Sequence, residues 1–137
     1  MSRGYERHHD KHHDHHHGLS GYGKDLVRRC AAHCEMCDAH GVKLNVFEVP
    51  SASKEAAMEH CIMICGTCMD QIEHPKRMDH NHWRCLNHSM WSTVPAVKVM
   101  AVMMLQRLAE SERWAVELLE QVYLEPEVAE WLKQRIV

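Results

Sequence analysis

The chain has 137 residues, a formal net charge of −3 at pH 7 and seven cysteines. A chain of this length builds one modest domain, so a bound metal would supply stability that a small core lacks. The odd cysteine count and a start without an apolar signal-peptide core argue against a secreted disulfide framework, and we expect a cytoplasmic protein. We expect no membrane span, because no apolar run approaches about 20 residues. The charge is compatible with a nucleic-acid partner but does not imply one.

Residues 1–24 are rich in histidine and are predicted to be a disordered tail, because they offer almost no aliphatic side chains to bury. Neutral imidazoles chelate borderline metals, so one hypothesis is a weak site for zinc or nickel. The alternative is a tail without function. The candidate ligands here are His8, His9, His12, His13, His15, His16 and His17.

The most specific pattern is a pair of CxxC motifs with 27 residues between them. Each short loop directs two sulfurs at one ion, and four thiolates in two such pairs are typical of a structural tetrahedral zinc site. His33 and His40 flank the first motif and could replace a thiolate. The predicted zinc ligands are Cys34, Cys37, Cys65 and Cys68.

Residues 25–91 are predicted to form the zinc-bearing unit, a small α+β domain. We expect a helix over residues 25–32, a strand or hairpin arm over 43–50, a strand over 61–64 and a helix beginning at 69–72. This order is that of a treble-clef or zinc-ribbon-like finger. The second cysteine pair then lies at the hairpin's end and the helix's first turn, where the helix dipole favours thiolates.

Residues 92–137 are predicted to form a three-helix segment packed on the zinc unit. Thr93 offers an N-cap and Pro95 lies in the first turn of a helix that is apolar almost all round. The run from Val94 to Leu108 therefore belongs in a core or in a homodimer interface. A second helix is expected over 112–124 and a third from Pro126.

The segment from Asp79 to His88 concentrates further metal-ligating side chains. One hypothesis is a second metal site that includes His82 and Cys85, since imidazole and thiolate are suitable ligands. The other is that this segment packs between finger and helices, which we favour because neither a CxxC nor an HxxxH pair is present. Cys30 and Cys61 each lie four residues before the first cysteine of a CxxC motif, which we call a knuckle. Both are expected to be buried, although they could substitute as ligands.

Several stretches between Cys34 and Val97 together resemble the PhnA protein family. They are Cys34 to Cys37, Leu44 to Pro50, Ile64 to Pro75, Met78 to Asn87 and Ser89 to Val97. The likeness is to the proteobacterial N-terminal, zinc-ribbon-type region of that family, and it continues weakly to about Trp131. Family members often carry a further C-terminal β-rich domain, which we expect this chain to lack. The family name refers to phosphonate utilisation, but it implies no biochemical activity.

The spacing is also similar to that of the HNH endonucleases, which are treble-clef enzymes. Those enzymes need a histidine on the first hairpin strand and another at the start of the following helix. Phe47 and Glu48 occupy the first place here and Met69 the second. We therefore expect a non-catalytic zinc-binding protein that binds an unknown protein partner. The alternatives are zinc or nickel buffering by the tail, or a degenerate HNH-type nuclease.

Overall fold

Two antiparallel strands and six α-helices make up the part of the chain that the computed structural model describes, residues 21–52 and 57–136. The helices are α1 (Gly23–Cys30), α2 (Gly66–Glu73), α3 (Leu86–Ser89), α4 (Pro95–Leu108), α5 (Arg113–Gln121) and α6 (Pro126–Ile136). The strands are β1 (Leu44–Glu48) and β2 (Cys61–Cys65), and one-turn 3-10 helices cover Met58–His60, Pro75–Arg77 and His82–Cys85. The predicted α+β class with a β-hairpin is confirmed.

The hairpin pairs Leu44 with Cys65 and Glu48 with Cys61. All five residues of β2 are buried, because each face of the strand meets a different cluster of side chains. Ile62 and Ile64 belong to the main core, whereas Cys61 and Met63 pack with Leu26 of α1. A continuous apolar run is typical of a strand covered on both faces.

The main core joins the hairpin to the C-terminal helices. Helix α4 is its centre, with ten buried residues among fourteen: Ala96, Val97, Lys98, Val99, Met100, Ala101, Val102, Met104, Leu105 and Leu108. Trp83, Leu86 and Met90 belong to the same core, and each is fully buried. Trp91, in contrast, is 49% exposed.

Several predicted helix boundaries are wrong by a few residues. Helix α1 begins at Gly23 and ends at Cys30, because Ala31 and Ala32 both adopt left-handed backbone angles, with φ of 54° and 60°. Helix α2 begins at Gly66, inside the second knuckle rather than after it. Helix α5 ends at Gln121, since Val122 is extended.

The predicted N-cap of α4 is also wrong. Val94 holds that position in an extended conformation, and no side chain caps the helix. A residue that precedes proline is pushed out of the helical region, so the boundary moves to Val94. The backbone N–H of Val94 donates instead to the hydroxyl of Ser92 at 3.0 Å.

Candidate metal centre

The first knuckle is a tight loop that holds Cys34 and Cys37 at its base. The N–H of Cys34 donates to the carbonyl of Ala39, and the N–H of Asp38 donates to the carbonyl of Cys34, both at 2.8 Å. Asp38 has a left-handed φ of 69° that lets the chain reverse. The N–H of Cys37 lies 3.4 Å from the Cys34 sulfur and donates to it, so backbone geometry aims both sulfurs to the same side.

Glu35, inside the first knuckle, attaches this loop to the free edge of β2. Its N–H donates to the carbonyl of Met63, and its carboxylate accepts the Met63 N–H, both at 2.9 Å. Arg29 donates twice to the same carboxylate, at 2.7 and 3.0 Å, and also to the Cys61 carbonyl at 2.9 Å. The sequence reasoning missed this link, because no spacing rule pairs an arginine with an acid six residues away outside a helix.

The second knuckle is built by the junction of β2 and α2. Cys65 is the last residue of the strand and the N-cap of the helix, and Cys68 lies in the first helical turn. The helix N-terminus carries partial positive charge, which stabilises a thiolate placed there. The strand end and the helix start therefore deliver both sulfurs beside the first knuckle.

The four knuckle cysteines come together as one cluster, with all four sulfurs within 4.8 Å of one another. The Cys34–Cys68 sulfurs are 3.8 Å apart and the Cys37–Cys65 sulfurs 3.7 Å. A regular tetrahedron with metal–sulfur bonds of about 2.3 Å has edges of about 3.8 Å. All seven cysteines are free thiols. The cluster is thus a potential metal-binding site, and these two sulfur–sulfur distances match the edge of such a tetrahedron.

Without a metal, protons distribute unequally over these sulfurs. A sulfur–sulfur hydrogen bond with Cys68 lowers the pKa of Cys34 to about 4, and the same bond raises the pKa of Cys68. Burial raises the pKa of Cys37 to about 12. Four sulfurs this close cannot all ionise unless a cation compensates their charge, so a metal that binds here must displace protons.

His33 and His40, which flank the first knuckle, lie outside the four-sulfur cluster. Their backbones form a short antiparallel bridge, and their rings meet edge to face with centroids 5.0 Å apart. His33 Nδ1 lies 3.6 Å from an oxygen of Asp38. Both imidazoles therefore support the loop that carries Cys34 and Cys37.

The segment from Asp79 to Cys85 docks on α2 through one buried amide. The Gln71 side-chain oxygen accepts the indole N–H of Trp83 at 2.7 Å and the backbone N–H of Asp79 at 2.8 Å. Next to Trp83, His82 Nε2 lies 3.3 Å from the Cys68 sulfur. His82 thus contacts the cluster, but it is not among the four residues whose ligand atoms all lie within 4.8 Å.

The other three cysteines do not join the four-sulfur group. Cys85 is half-buried, and burial together with the nearby knuckle sulfurs raises its pKa to about 12. Burial also raises the pKa of Cys61 to about 11. Cys30, half-buried, lies within hydrogen-bond reach of the Val27 carbonyl at 3.6 Å. A thiol with a raised pKa stays protonated at neutral pH and is a poor nucleophile.

Phe47 and Met69, the residues at the positions that the sequence analysis compared with HNH histidines, both pack against the main core. Within the described residues, no second group of three or more ligand side chains comes together. The seven histidines predicted as ligands in the tail, His8 to His17, lie outside the described residues.

None of the described helices is long and apolar enough to cross a membrane. No protein-family model matches the chain, and neither a curated protein nor a solved structure is significantly similar to it.

Proposed function

We propose that this chain is a non-catalytic zinc-binding protein in which one structural zinc is held by four thiolates. The observation that carries the proposal is the sulfur cluster, whose paired spacings of 3.7 and 3.8 Å suit a tetrahedral ion. Zinc prefers four thiolates in closed structural sites, whereas its catalytic sites keep one position for water. Four protein ligands leave no such position, which argues against hydrolysis at this metal.

The arrangement of the ligands supports a treble-clef finger. The first pair lies on a tight loop, a hairpin follows, and the second pair spans the hairpin's end and the first turn of α2. This is the order of a treble clef, and it is compatible with the proposed likeness to the zinc-ribbon-type region of the PhnA family.

We propose that the folded domain binds a protein partner. A groove of about 560 Å³ runs between the first knuckle and residues 88–97, and the exposed Trp91 lines it. Tryptophan is enriched among the residues that carry most of the binding energy in protein interfaces. A cytoplasmic location and a homodimer through α4 stay predictions, as does metal buffering by the tail.

Native mass spectrometry of the full chain tests the zinc proposal. We expect one tightly held zinc in the wild-type protein, and a large loss of affinity in Cys34→Ser and Cys65→Ser, because each variant removes one of four ligands. Cys30→Ser is the matched control, since Cys30 lies four residues before Cys34 but outside the cluster. Wild-type protein without tightly bound metal, or knuckle variants that keep it, would contradict the proposal.

A further inference from the structure

The imidazole of His82 is placed against one particular sulfur of the cluster. Its Nε2 lies 3.3 Å from the sulfur of Cys68. Cys68 is fully buried, and His82 is half-buried on its 3-10 helix. The imidazole therefore contacts a buried sulfur from a partly exposed position.

Two contacts orient the His82 ring, one with the Cys68 sulfur and one with the Trp83 ring. The ring meets Trp83 edge to face, with centroids 5.1 Å apart and planes at 90°. Trp83 is fully buried, and its indole N–H is held by Gln71. Gln71 lies three residues after Cys68 on the same helix, so both ends of the His82–Cys68 contact are attached to α2. The imidazole is therefore held in place before any metal arrives.

The metal-bound state decides which atom donates. A metal-bound Cys68 is a thiolate and has no proton, so the hydrogen must come from His82 Nε2. We propose that His82 is a positioning residue of the metal site: its Nε2–H donates to the Cys68 thiolate, stabilises its charge and slows metal loss. This inference rests on the proposed function, because it requires a metal on the four sulfurs.

Ligand number argues for this outer position rather than direct coordination. Four sulfurs already provide the tetrahedral set, and His82 is not among the residues that share the 4.8 Å limit. Burying four thiolates around a divalent ion leaves net negative charge in the core, which N–H donors compensate. The backbone N–H of Cys37 donates to the Cys34 sulfur, and His82 supplies a side-chain donor for the Cys68 sulfur on the other knuckle.

Metal transfer to a competing chelator tests the role of His82. We expect His82→Phe to lower zinc affinity by roughly 10-fold or more, the usual range for a lost outer-sphere partner being about 10 to 100-fold. His82→Gln, whose amide can still donate, should restore part of the loss. His80→Gln is the matched control in the same loop, because His80 Nδ1 contacts Glu112 at 2.6 Å and no cysteine.

Two measurements on the wild-type protein distinguish a hydrogen bond from direct coordination by His82, so they do not depend on how a variant folds. One is the absorption spectrum of the cobalt-loaded protein, and the other is scalar coupling in the cadmium-loaded protein. The inference predicts a four-sulfur cobalt spectrum and a coupling between the cadmium nucleus and the Nε2 proton of His82. A three-sulfur, one-nitrogen spectrum, or equal zinc retention by wild type and His82→Phe, would overturn it. If the wild type bound no metal, the proposed function itself would fail.

Discussion

At the scale of single residues, the first knuckle depends on a partly buried ion pair, Arg29 with Glu35, that occupies the edge of β2 opposite β1. The carboxylate of Glu35 is 7% exposed and the guanidinium side chain of Arg29 is 23% exposed. Together they satisfy the N–H of Met63 and the carbonyl of Cys61, which would otherwise lie unpaired at the edge. This pair therefore fixes the loop of Cys34 and Cys37 relative to the strand that leads to Cys65.

Replacing Arg29 tests this interpretation. Arg29→Met should destabilise the zinc-loaded protein by roughly 3 kcal/mol, because it leaves a buried carboxylate without its partner. The neighbouring Arg28→Met is the control, since the ion pair of Arg28 with Asp25 is exposed, at 76% and 60%. Its cost should stay below about 0.5 kcal/mol. Urea unfolding in zinc-containing buffer measures both, and equal costs would contradict the structural role of Arg29.

The sequence predicts the sulfur cluster better than it predicts the side chains that hold the first knuckle in place. Two CxxC motifs share one ion in many folds, so their spacing alone assigns Cys34 and Cys65 to the same site. Glu35 gives no such signal, since a glutamate inside a knuckle is normally expected to be solvent-exposed. Its burial depends on Arg29, and no local pattern indicates a contact between a helix and a loop.

At the scale of elements, α2 carries both a cysteine of the candidate metal site and the glutamine that holds the 79–85 segment. Cys68 faces the cluster from the first turn of α2, and Gln71, one turn later, binds the 79–85 segment. The sequence predicts this helix but not the segment's docking, because an isolated glutamine in a helix is usually a surface residue. Its position one turn from Cys68 puts both on the same face of α2.

Gln71→Met should weaken the docking of the 79–85 segment on α2. The substitution leaves the Trp83 indole N–H buried without an acceptor, which costs about 1–3 kcal/mol. It should also weaken zinc retention, because the orientation of His82 depends on the adjacent Trp83. Glu73→Met, an exposed change on the same helix, should cost less than about 0.5 kcal/mol. If both variants showed the same urea midpoint and the same zinc loss, the amide would not be the link.

At the scale of the whole molecule, the sulfur cluster and the C-terminal helices share one core. Cys34, Cys65 and Cys68 belong to the same buried cluster as Met100, Leu105 and other residues of α4. The sequence indicates a zinc unit at 25–91 and a helical segment at 92–137, but periodicity does not reveal whether two such parts bury their apolar faces against each other. In the described residues, one continuous buried core joins residues 25–91 to residues 92–137.

This continuity predicts that removal of the metal destabilises the helices as well as the finger. The binding free energy of a structural zinc contributes directly to folding free energy. Addition of a strong chelator should therefore reduce helical circular dichroism and blue-shifted tryptophan fluorescence in the same transition, because Trp83 is buried in the core that α4 shares with the sulfur cluster. Restoring zinc should recover both signals together. If the helical signal instead persisted while the tryptophan emission shifted to that of exposed indole, the C-terminal helices would fold independently of the metal and the shared core would carry little of the stability.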